Sequence, residues 1–396
     1  MGVINPHENQ MASTDSKLPP LVHVCAVANM QNAWVALSVR VQAADGLHSV
    51  FEEPDLLTAI APLDCIVMLD TPAQVDDALA ALMPVSRVSF AIRADALQDD
   101  AARQRMLELQ TRGYRIFLDG AVPAGVSVPA QLRTAAGDFS AAPPKPEALQ
   151  LMFGPHLAHG VNSAARVMEC AQVGYEWFSG DYALHPAASA EPADGSSRKR
   201  LMTLLGLLAR DAETRELEAL LKQDPALSYH LLKLANSAMF AHATPITSFA
   251  QAISVLGRRQ LQRWLQLLLY ARQQADGVAN PLLPVAALRA AQMEMLCKLR
   301  GGEREEQDLA FMTGVFSLLH LLFALPMEGI VGALNLPPLA ASALLTRAGP
   351  FGELLALIEA QRVDADMLER AGLASEPWWR SQLHAYHWAI QVSRNL

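Results

Sequence analysis

The chain has 396 residues, 52% of them hydrophobic and 18% charged, with four cysteines and a formal net charge of −9. That length and apolar content suffice for two ordinary domains with sizeable cores, and they exclude general disorder. Residues 1–190 hold 11 Lys and Arg against 20 Asp and Glu, whereas residues 191–396 balance at 20 and 20, so neither half has the basic surplus that generic phosphate-backbone binding needs.

The leader, residues 1–20, is polar and has neither a basic start nor an apolar run, which predicts a disordered segment, no secretory signal and cytoplasmic residence. Cys25, Cys65, Cys170 and Cys297 are scattered, with no Cys-x-x-Cys, as expected of buried thiols in a reducing compartment. From residue 21 to 186, short β-rich runs (VHVCAVA, AWVALSVRV, CIVML, RVSFAIR, YRIFL) alternate with helical ones such as DDAARQRMLELQTRG. Such alternation predicts an α/β domain. At about 165 residues it is short for a full eight-unit barrel, for which about 250 is typical, so a shortened or irregular barrel is expected.

Residues 187–200, rich in Ala, Ser, Pro and Gly, read as a linker ending in Arg198, Lys199 and Arg200. That triplet reads as solvated charge flanking a helix start rather than a phosphate or partner contact. Residues 201–396 read as an all-helical domain. Asp224 suits an N-cap, with Pro225 at the first helical position, and Leu227, Leu231 and Leu234 recur at helical spacing with Tyr229, Leu232 and Ala238 widening the stripe. Ser248 with Gln251 predicts a second helix start and Gly257 its end, with a third helix carrying Leu261, Trp264, Leu265 and Leu268 on its buried side. Leu309 to Met327 has no charged residue and is long enough to cross a membrane. Its Thr313, Ser317, His320 and Pro326, and the lack of a basic flank, favour a helix central to a core, with no membrane insertion.

At Asp224–Leu227, Leu232–Ala238, Pro245–Ser248 and Ala252–Trp264 the sequence resembles the HDOD domain, a helical module of bacterial signalling proteins related to the HD phosphohydrolases. The resemblance runs from about Arg198 to about Val392. The preceding half resembles the EAL domain, a TIM-like barrel whose active members hydrolyse cyclic di-GMP, at Leu109–Gly120 and Gly160–Pro186. Together these imply an EAL–HDOD two-domain signalling protein.

Active EAL enzymes hold divalent metals on a carboxylate cluster, because the metals polarise the phosphodiester and generate hydroxide. The resemblance puts Ala36 at the name-giving glutamate, Asp119 and Gly120 at the paired aspartates, and His159 and Asn162 at the late acidic motif. It implies a degenerate EAL domain without phosphodiesterase activity. The HD family's metal-binding His-Asp dyad falls at Ser317 and Leu318, and His320 nearby reads as a core histidine. No catalytic residue, cofactor or metal site is therefore expected.

His384 with His387, and His156 with His159, have the spacing of paired imidazoles but lack a third ligand. Trp378, Trp379, Tyr386 and Trp388 read as C-terminal helix packing, with a protein interface as the alternative. The functional expectation is a non-catalytic signalling protein, with signalling or regulatory proteins as partners in a cyclic di-GMP-linked pathway. Asn236, Arg258, Arg259 and Arg263 are its candidate contact surface, against a reading as turn hydrogen bonds and solvated helix faces. Two alternatives stand beside it. One is a DNA-binding regulator using the helix-turn-helix-like segment 250–269, with Arg258, Arg259, Gln260 and Arg263 as readers. The other is residual cyclic di-GMP cleavage. Nucleotide binding without cleavage is left open, and nucleic acid is not the expected partner.

Overall fold

The computed structural model describes residues 21–41, 46–52, 55–145, 149, 152–186, 195–210, 212–221, 229, 231–233, 235–236, 246, 248–271 and 278–395. Eight strands close a barrel: β1 (Val22–Ala28), β2 (Trp34–Val41), β3 (Asp64–Leu69), β4 (Val88–Arg93), β5 (Arg115–Asp119), β6 (Thr134–Asp138), β7 (Leu157–His159) and β8 (Trp177–Ser179). Strands β2 to β8 are parallel neighbours in chain order, and β1 is antiparallel to both β2 and β8. Closure is therefore complete, and the shortness expected from chain length falls elsewhere. Strands β7 and β8 are three residues each, β1 and β2 form a hairpin, and β5 reaches β6 without a helix.

The period-2 alternation of strand side chains divides the barrel into two cores. Val27, Ala36, Ile66, Met68, Ala91, Phe117, Ala136 and Leu157 fill the lumen. Their neighbours, among them Leu37, Val39, Cys65, Val67, Phe90, Ile92, Ile116 and Leu118, point outward beneath the helices. Those helices begin where side-chain acceptors meet free N–H groups. Asp76 accepts from Leu79 N at 2.7 Å, Asp99 from Ala102 N at 2.7 Å, and Ser163 from Arg166 N at 3.2 Å.

The helical part opens at Gly195, inside the segment read as linker. The N-terminus predicted at Asp224 and Pro225 lies outside the described residues, as do Leu227, Leu234 and Ala238. Leu231 and Ala235 are fully buried, whereas Tyr229 is 65% exposed and does not widen the apolar stripe. Ser248 caps Phe249–Leu268 by accepting from Gln251 N at 3.3 Å, and Gly257 breaks that helix with φ +74°, as the left-handed preference of glycine predicts. Leu261, Trp264, Leu265 and Leu268 are buried. At the centre stands Leu282–Leu299, whose Ala286, Ala287 and Ala290 face Arg304–Phe316. A Cβ added at Gly314 would come within 2.7 Å of Ala290 Cα, so this crossing depends on two small residues.

The uncharged run Leu309–Met327 is not one helix. It is divided among Arg304–Phe316, Leu319–Phe323 and the start of Met327–Leu334, with Ala324 left-handed at φ +50°. Pro338–Glu359 is apolar and long enough to cross a membrane, with mean hydropathy 1.2. It is interrupted by Arg347 at φ +55°, between helices Pro338–Thr346 and Gly349–Glu359.

The last helix, Ser375–Asn395, belongs to both halves. Leu383, Tyr386 and Ile390, spaced along one face, join the outer core of the barrel. Trp378, Ala389 and Val392 join the helical core, with Trp388 tilted against Trp264, ring centroids 5.0 Å apart. Tyr386 donates its hydroxyl to the Val24 carbonyl on β1 at 2.8 Å and tilts against Trp34 at 5.9 Å. His387 Nδ1 lies 3.0 Å from the Ala59 carbonyl, and Asn32 donates to the Ala279 carbonyl at 2.8 Å. The C-terminal helix thus serves as an outer helix of the barrel, over the β1–β2 hairpin that carries none of its own.

Candidate functional site at the barrel mouth

Each parallel strand from β2 to β7 carries an ionisable side chain within one residue of its last position: Arg40, Asp70, Arg93, Asp119, Asp138 and His159. Register places them at the same end of the barrel, since Arg93 is level with Asp119 and Asp138 with His159. His23 and Cys25 join them from β1, because Val27 two residues on lies in the lumen core and His23 pairs with Arg40. This ring occupies the C-terminal face of the parallel strands, where barrel sites are built.

Three close pairs mark the mouth, two of them between a guanidinium and a carboxylate. Arg40 lies 3.3 Å from Asp70, and Arg93 grips Asp95 at 2.6 Å. His159 Nε2 meets Asp119 Oδ1 at 2.7 Å, and this pair is the most enclosed, with side chains 18% and 12% exposed. Hydrogen bonding and attraction from Asp95, opposed by slight burial and aided by Asp70 and Asp119, raise the Arg93 pKa further, so this guanidinium sits among three carboxylates. Asp138 is pushed up by burial, but hydrogen bonds from Ser140 and the nearby His159 and Arg40 outweigh that and hold it below the usual carboxylate range. Burial lowers the His23 pKa, helped by Arg362 and Arg40, and Cys25 Sγ lies 3.2 Å from its Nε2. Burial and then Asp181 push the Cys25 thiol up to about 11.

Of the residues at the catalytic positions implied by the EAL resemblance, Asp119 and His159 meet at the mouth. Ala36 lies at the opposite end of the lumen, paired with Asp64, and is fully buried. Gly120 adopts φ +96°, and Asn162 donates to the Ser140 carbonyl at 3.1 Å. Among the described residues, no three His, Cys, Asp or Glu side chains gather closely enough to hold a metal ion. Beside the ring, a groove of about 820 Å³ is lined by Asp70, Asp76, Asp77, Asp95, Asp99 and Arg105.

Neither imidazole pair gains a third ligand among the described residues. A spacing of three in an extended chain puts His156 and His159 on opposite faces, and His156 Nδ1 accepts from Ala135 N at 3.1 Å, away from the mouth. His387 is engaged by the Ala59 carbonyl.

In the helical half, Ser317 is buried, donates to the Gly314 carbonyl at 2.8 Å and accepts from Arg289 at 3.0 Å. Arg289 also reaches Glu359 at 2.8 Å, and Arg347 holds the same carboxylate through two bonds of 2.7 and 3.0 Å. A guanidinium therefore stands beside the position that the HD resemblance gives to a metal-binding histidine.

The four candidate contact residues are engaged inside the fold. Arg259 and Arg263 both bond Glu294 and Asp308, and Arg263 lies 4.8 Å over the Phe311 ring. Arg258 donates to the Ala212 carbonyl at 2.7 Å. Asn236 ties its loop by donating to the Leu232 and Ile246 carbonyls and accepting from Ile246 N. The turn hydrogen bond is the reading that fits Asn236. Arg259 and Arg263 form ion pairs because Glu294 and Asp308 reach them from two other helices, a convergence that the local sequence does not show.

Residues 197–322 match the family described as the HDOD domain. The chain is 25% identical over 206 residues to the uncharacterized protein YuxH of Bacillus subtilis, covering 51% of this chain and 50% of that protein. It is 26% identical over 245 residues to the cyclic di-GMP phosphodiesterase CdgJ of Vibrio cholerae, covering 60% and 56%. The chain thus spans about half the length of the curated relatives it matches. Among solved structures it is similar to the EAL domain of Mycobacterium smegmatis DcpA, with 15% identity and a TM-score of 0.33 over 40% of this chain and 89% of that one. It is also similar to an HDOD domain protein of unknown function from Geobacter sulfurreducens, with 16% identity and a TM-score of 0.30 over 47% and 82%. The C-terminal part of this chain carries an HDOD domain, and the chain is homologous to both curated relatives.

Proposed function

We propose that the protein is a non-catalytic, cytoplasmic regulatory protein that acts by protein–protein recognition in a cyclic di-GMP-linked pathway. The observation that carries the reading is the pairwise engagement of the mouth: Arg40 with Asp70, Arg93 with Asp95, and Asp119 hydrogen-bonded to His159. Metal-assisted phosphodiester hydrolysis needs several carboxylates converging on shared cations, and here Asp70 and Asp95 face guanidinium groups while Asp119 is hydrogen-bonded to His159. Gly120 offers no side-chain oxygen at the mouth, and Asn162 is committed to a backbone carbonyl. In the helical half Ser317 and Leu318 replace an ionisable dyad, and Arg289 supplies the positive charge there. The donors present do not fit a metal centre in either half, so no hydrolytic step is derived for them. The link to cyclic di-GMP rests on the EAL resemblance and on the description of CdgJ.

Retrieval with the full-length chain as bait, at physiological ionic strength, tests the recognition half of this reading. A partner retained stoichiometrically and competed away by untagged protein supports it, and the absence of any competed partner counts against it. The DNA-binding alternative has less support, because Arg259 and Arg263 are committed to Glu294 and Asp308. A gel-shift titration at low and high salt separates the two, since DNA binding through these arginines would weaken steeply with salt and vanish on R258A/R259A substitution.

A further inference from the structure

The end of the barrel opposite the charged ring is built differently from its middle. Ile66, Ala91, Phe117 and Ala136 point into the lumen from β3, β4, β5 and β6. Strand alternation turns the residues two positions earlier, Asp64, Ser89, Arg115 and Thr134, to the same inward side where those strands enter the barrel. Barrels of this kind are ordinarily filled by layers of bulky branched side chains. Here the entering layer on these four strands is polar, and all four residues line one cavity of about 370 Å³. Ser86 and Arg87, ahead of β4, and Gln131, ahead of β6, complete its polar wall.

The charges around this cavity do not balance. It holds two guanidinium groups, Arg87 and Arg115, and one carboxylate, Asp64, so one positive charge has no counterpart. Asp64 lies on the Arg87 side, 3.8 Å from Nε. Arg87 spends Nη2 on the Leu63 carbonyl at 2.6 Å, which fixes the side chain, while its Nε–H is buried and has no hydrogen-bond acceptor. A buried donor left unmet in this way costs about 1–3 kcal/mol, which an acceptor entering the cavity would recover. Arg115 forms no ion pair among the described residues, and its guanidinium is steadied over the Trp177 ring, 5.8 Å from the centroid. The side chains of Ser86, Ser89, Gln131 and Thr134 likewise make no hydrogen bond among the described residues.

We propose that this base cavity is a binding site for a small phosphorylated polyol, with the phosphoryl group on Arg115 and the Arg87 Nε–H and the hydroxyls on Ser86, Ser89, Thr134 and Gln131. A phosphoryl group brings three acceptor oxygens to a donor-rich wall, and the planar fork of arginine suits it. A carboxylate brings only two and would leave donors unmet. The apolar lining is limited to Val85, Val88, Ile116 and the ring of Tyr114, whose hydroxyl is spent on the Ala80 and Met83 carbonyls. The Trp177 face is covered by Arg115, so an aromatic base finds little to stack on. The volume falls at the small end of the roughly 300–1,000 Å³ typical of small-molecule sites, which suits a phosphorylated sugar rather than a dinucleotide. The site lies at the far end of the barrel from the mouth and goes beyond the recognition reading without depending on it.

Isothermal titration calorimetry of the full-length protein with ribose 5-phosphate, inorganic phosphate and ribose, each separately, tests the assignment. Ribose 5-phosphate is expected to saturate and to bind at least about tenfold more tightly than inorganic phosphate, with no saturable heat from ribose. R115A is expected to weaken ribose 5-phosphate by at least about tenfold, since it removes the charged fork. S89A/T134V, which keeps both guanidinium groups, should weaken it by about fivefold. R380A, which removes an exposed arginine from the last helix, should match the parent. Far-UV circular dichroism confirms the fold of each variant. Absence of saturable heat from ribose 5-phosphate up to about 10 mM would overturn the site. So would R115A binding as tightly as the parent, or R380A losing as much as R115A, which would mark a general charge effect. Inorganic phosphate binding as tightly as ribose 5-phosphate would overturn the polyol assignment. None of these readouts involves cyclic di-GMP or a protein partner, so they fail or succeed separately from the recognition reading.

Discussion

Replacing Glu359 with Gln removes the single carboxylate that faces two guanidinium groups. Arg289 is 9% exposed and Glu359 23%, so the pair is largely desolvated, and Arg347 shares the same oxygens at 2.7 and 3.0 Å. Removing one partner of a buried pair costs about 3–5 kcal/mol, because the remaining charge stays buried without compensation. Arg289 would keep Ser317 Oγ as an acceptor, and Arg347 is one-third exposed and can turn toward water, which places E359Q near the lower end, at about 3 kcal/mol. Taking Arg289 away as well, in R289M/E359Q, deletes the stranded charge and should recover about 1–2 kcal/mol of that loss. Urea unfolding monitored by far-UV circular dichroism and tryptophan fluorescence provides the comparison, with slopes checked for constancy. If E359Q costs less than about 1 kcal/mol, the value of an ordinary surface pair, or if the double variant is less stable than both singles, Arg289 does not depend on this carboxylate and the cluster is not a buried network.

Two further outcomes follow from the contacts between the halves and within the barrel. Tyr386→Phe deletes only the hydroxyl on the Val24 carbonyl and should cost about 1 kcal/mol, whereas Tyr386→Ala also empties a site that is 6% exposed and should cost about 3–5 kcal/mol in the same urea assay. A negligible effect of the alanine variant would mean that the last helix does not hold the barrel. His156 accepts a backbone N–H at Nδ1, and burial lowers its pKa, so the unfolded chain takes up the proton first. Its contribution is complete above the ordinary histidine pKa near 6.5 and declines as pH falls below it, and His156→Asn should flatten that decline between pH 7.5 and 5.5. An equal pH slope in parent and variant would show that His156 is not the group responsible.

The sequence carried the architecture where local chemistry decides it. Alternating β-rich and helical runs gave the α/β half, and Ser248, Gln251 and Gly257 marked a cap and a break that the backbone adopts. What it did not reveal depends on partners distant in the chain. Nothing near Arg259 or Arg263 shows that Glu294 and Asp308 converge on them, nor that Tyr386 meets β1, 362 positions away. Full closure of the barrel was hidden by a length argument that assumes ordinary helices between strands. The mouth ring had a signal that was not used: Arg40, Asp70, Arg93 and Asp119 each end an apolar strand run, and in parallel strands such positions share one end.

The most direct test is to incubate the full-length chain with cyclic di-GMP and excess magnesium or manganese, and to follow formation of the linear dinucleotide by chromatography. The pairing of Asp119 with His159, of Asp70 with Arg40 and of Asp95 with Arg93 predicts product no faster than in protein-free controls with either metal. Metal-dependent turnover that is lost on Asp119→Ala would contradict the account and make the mouth an active site.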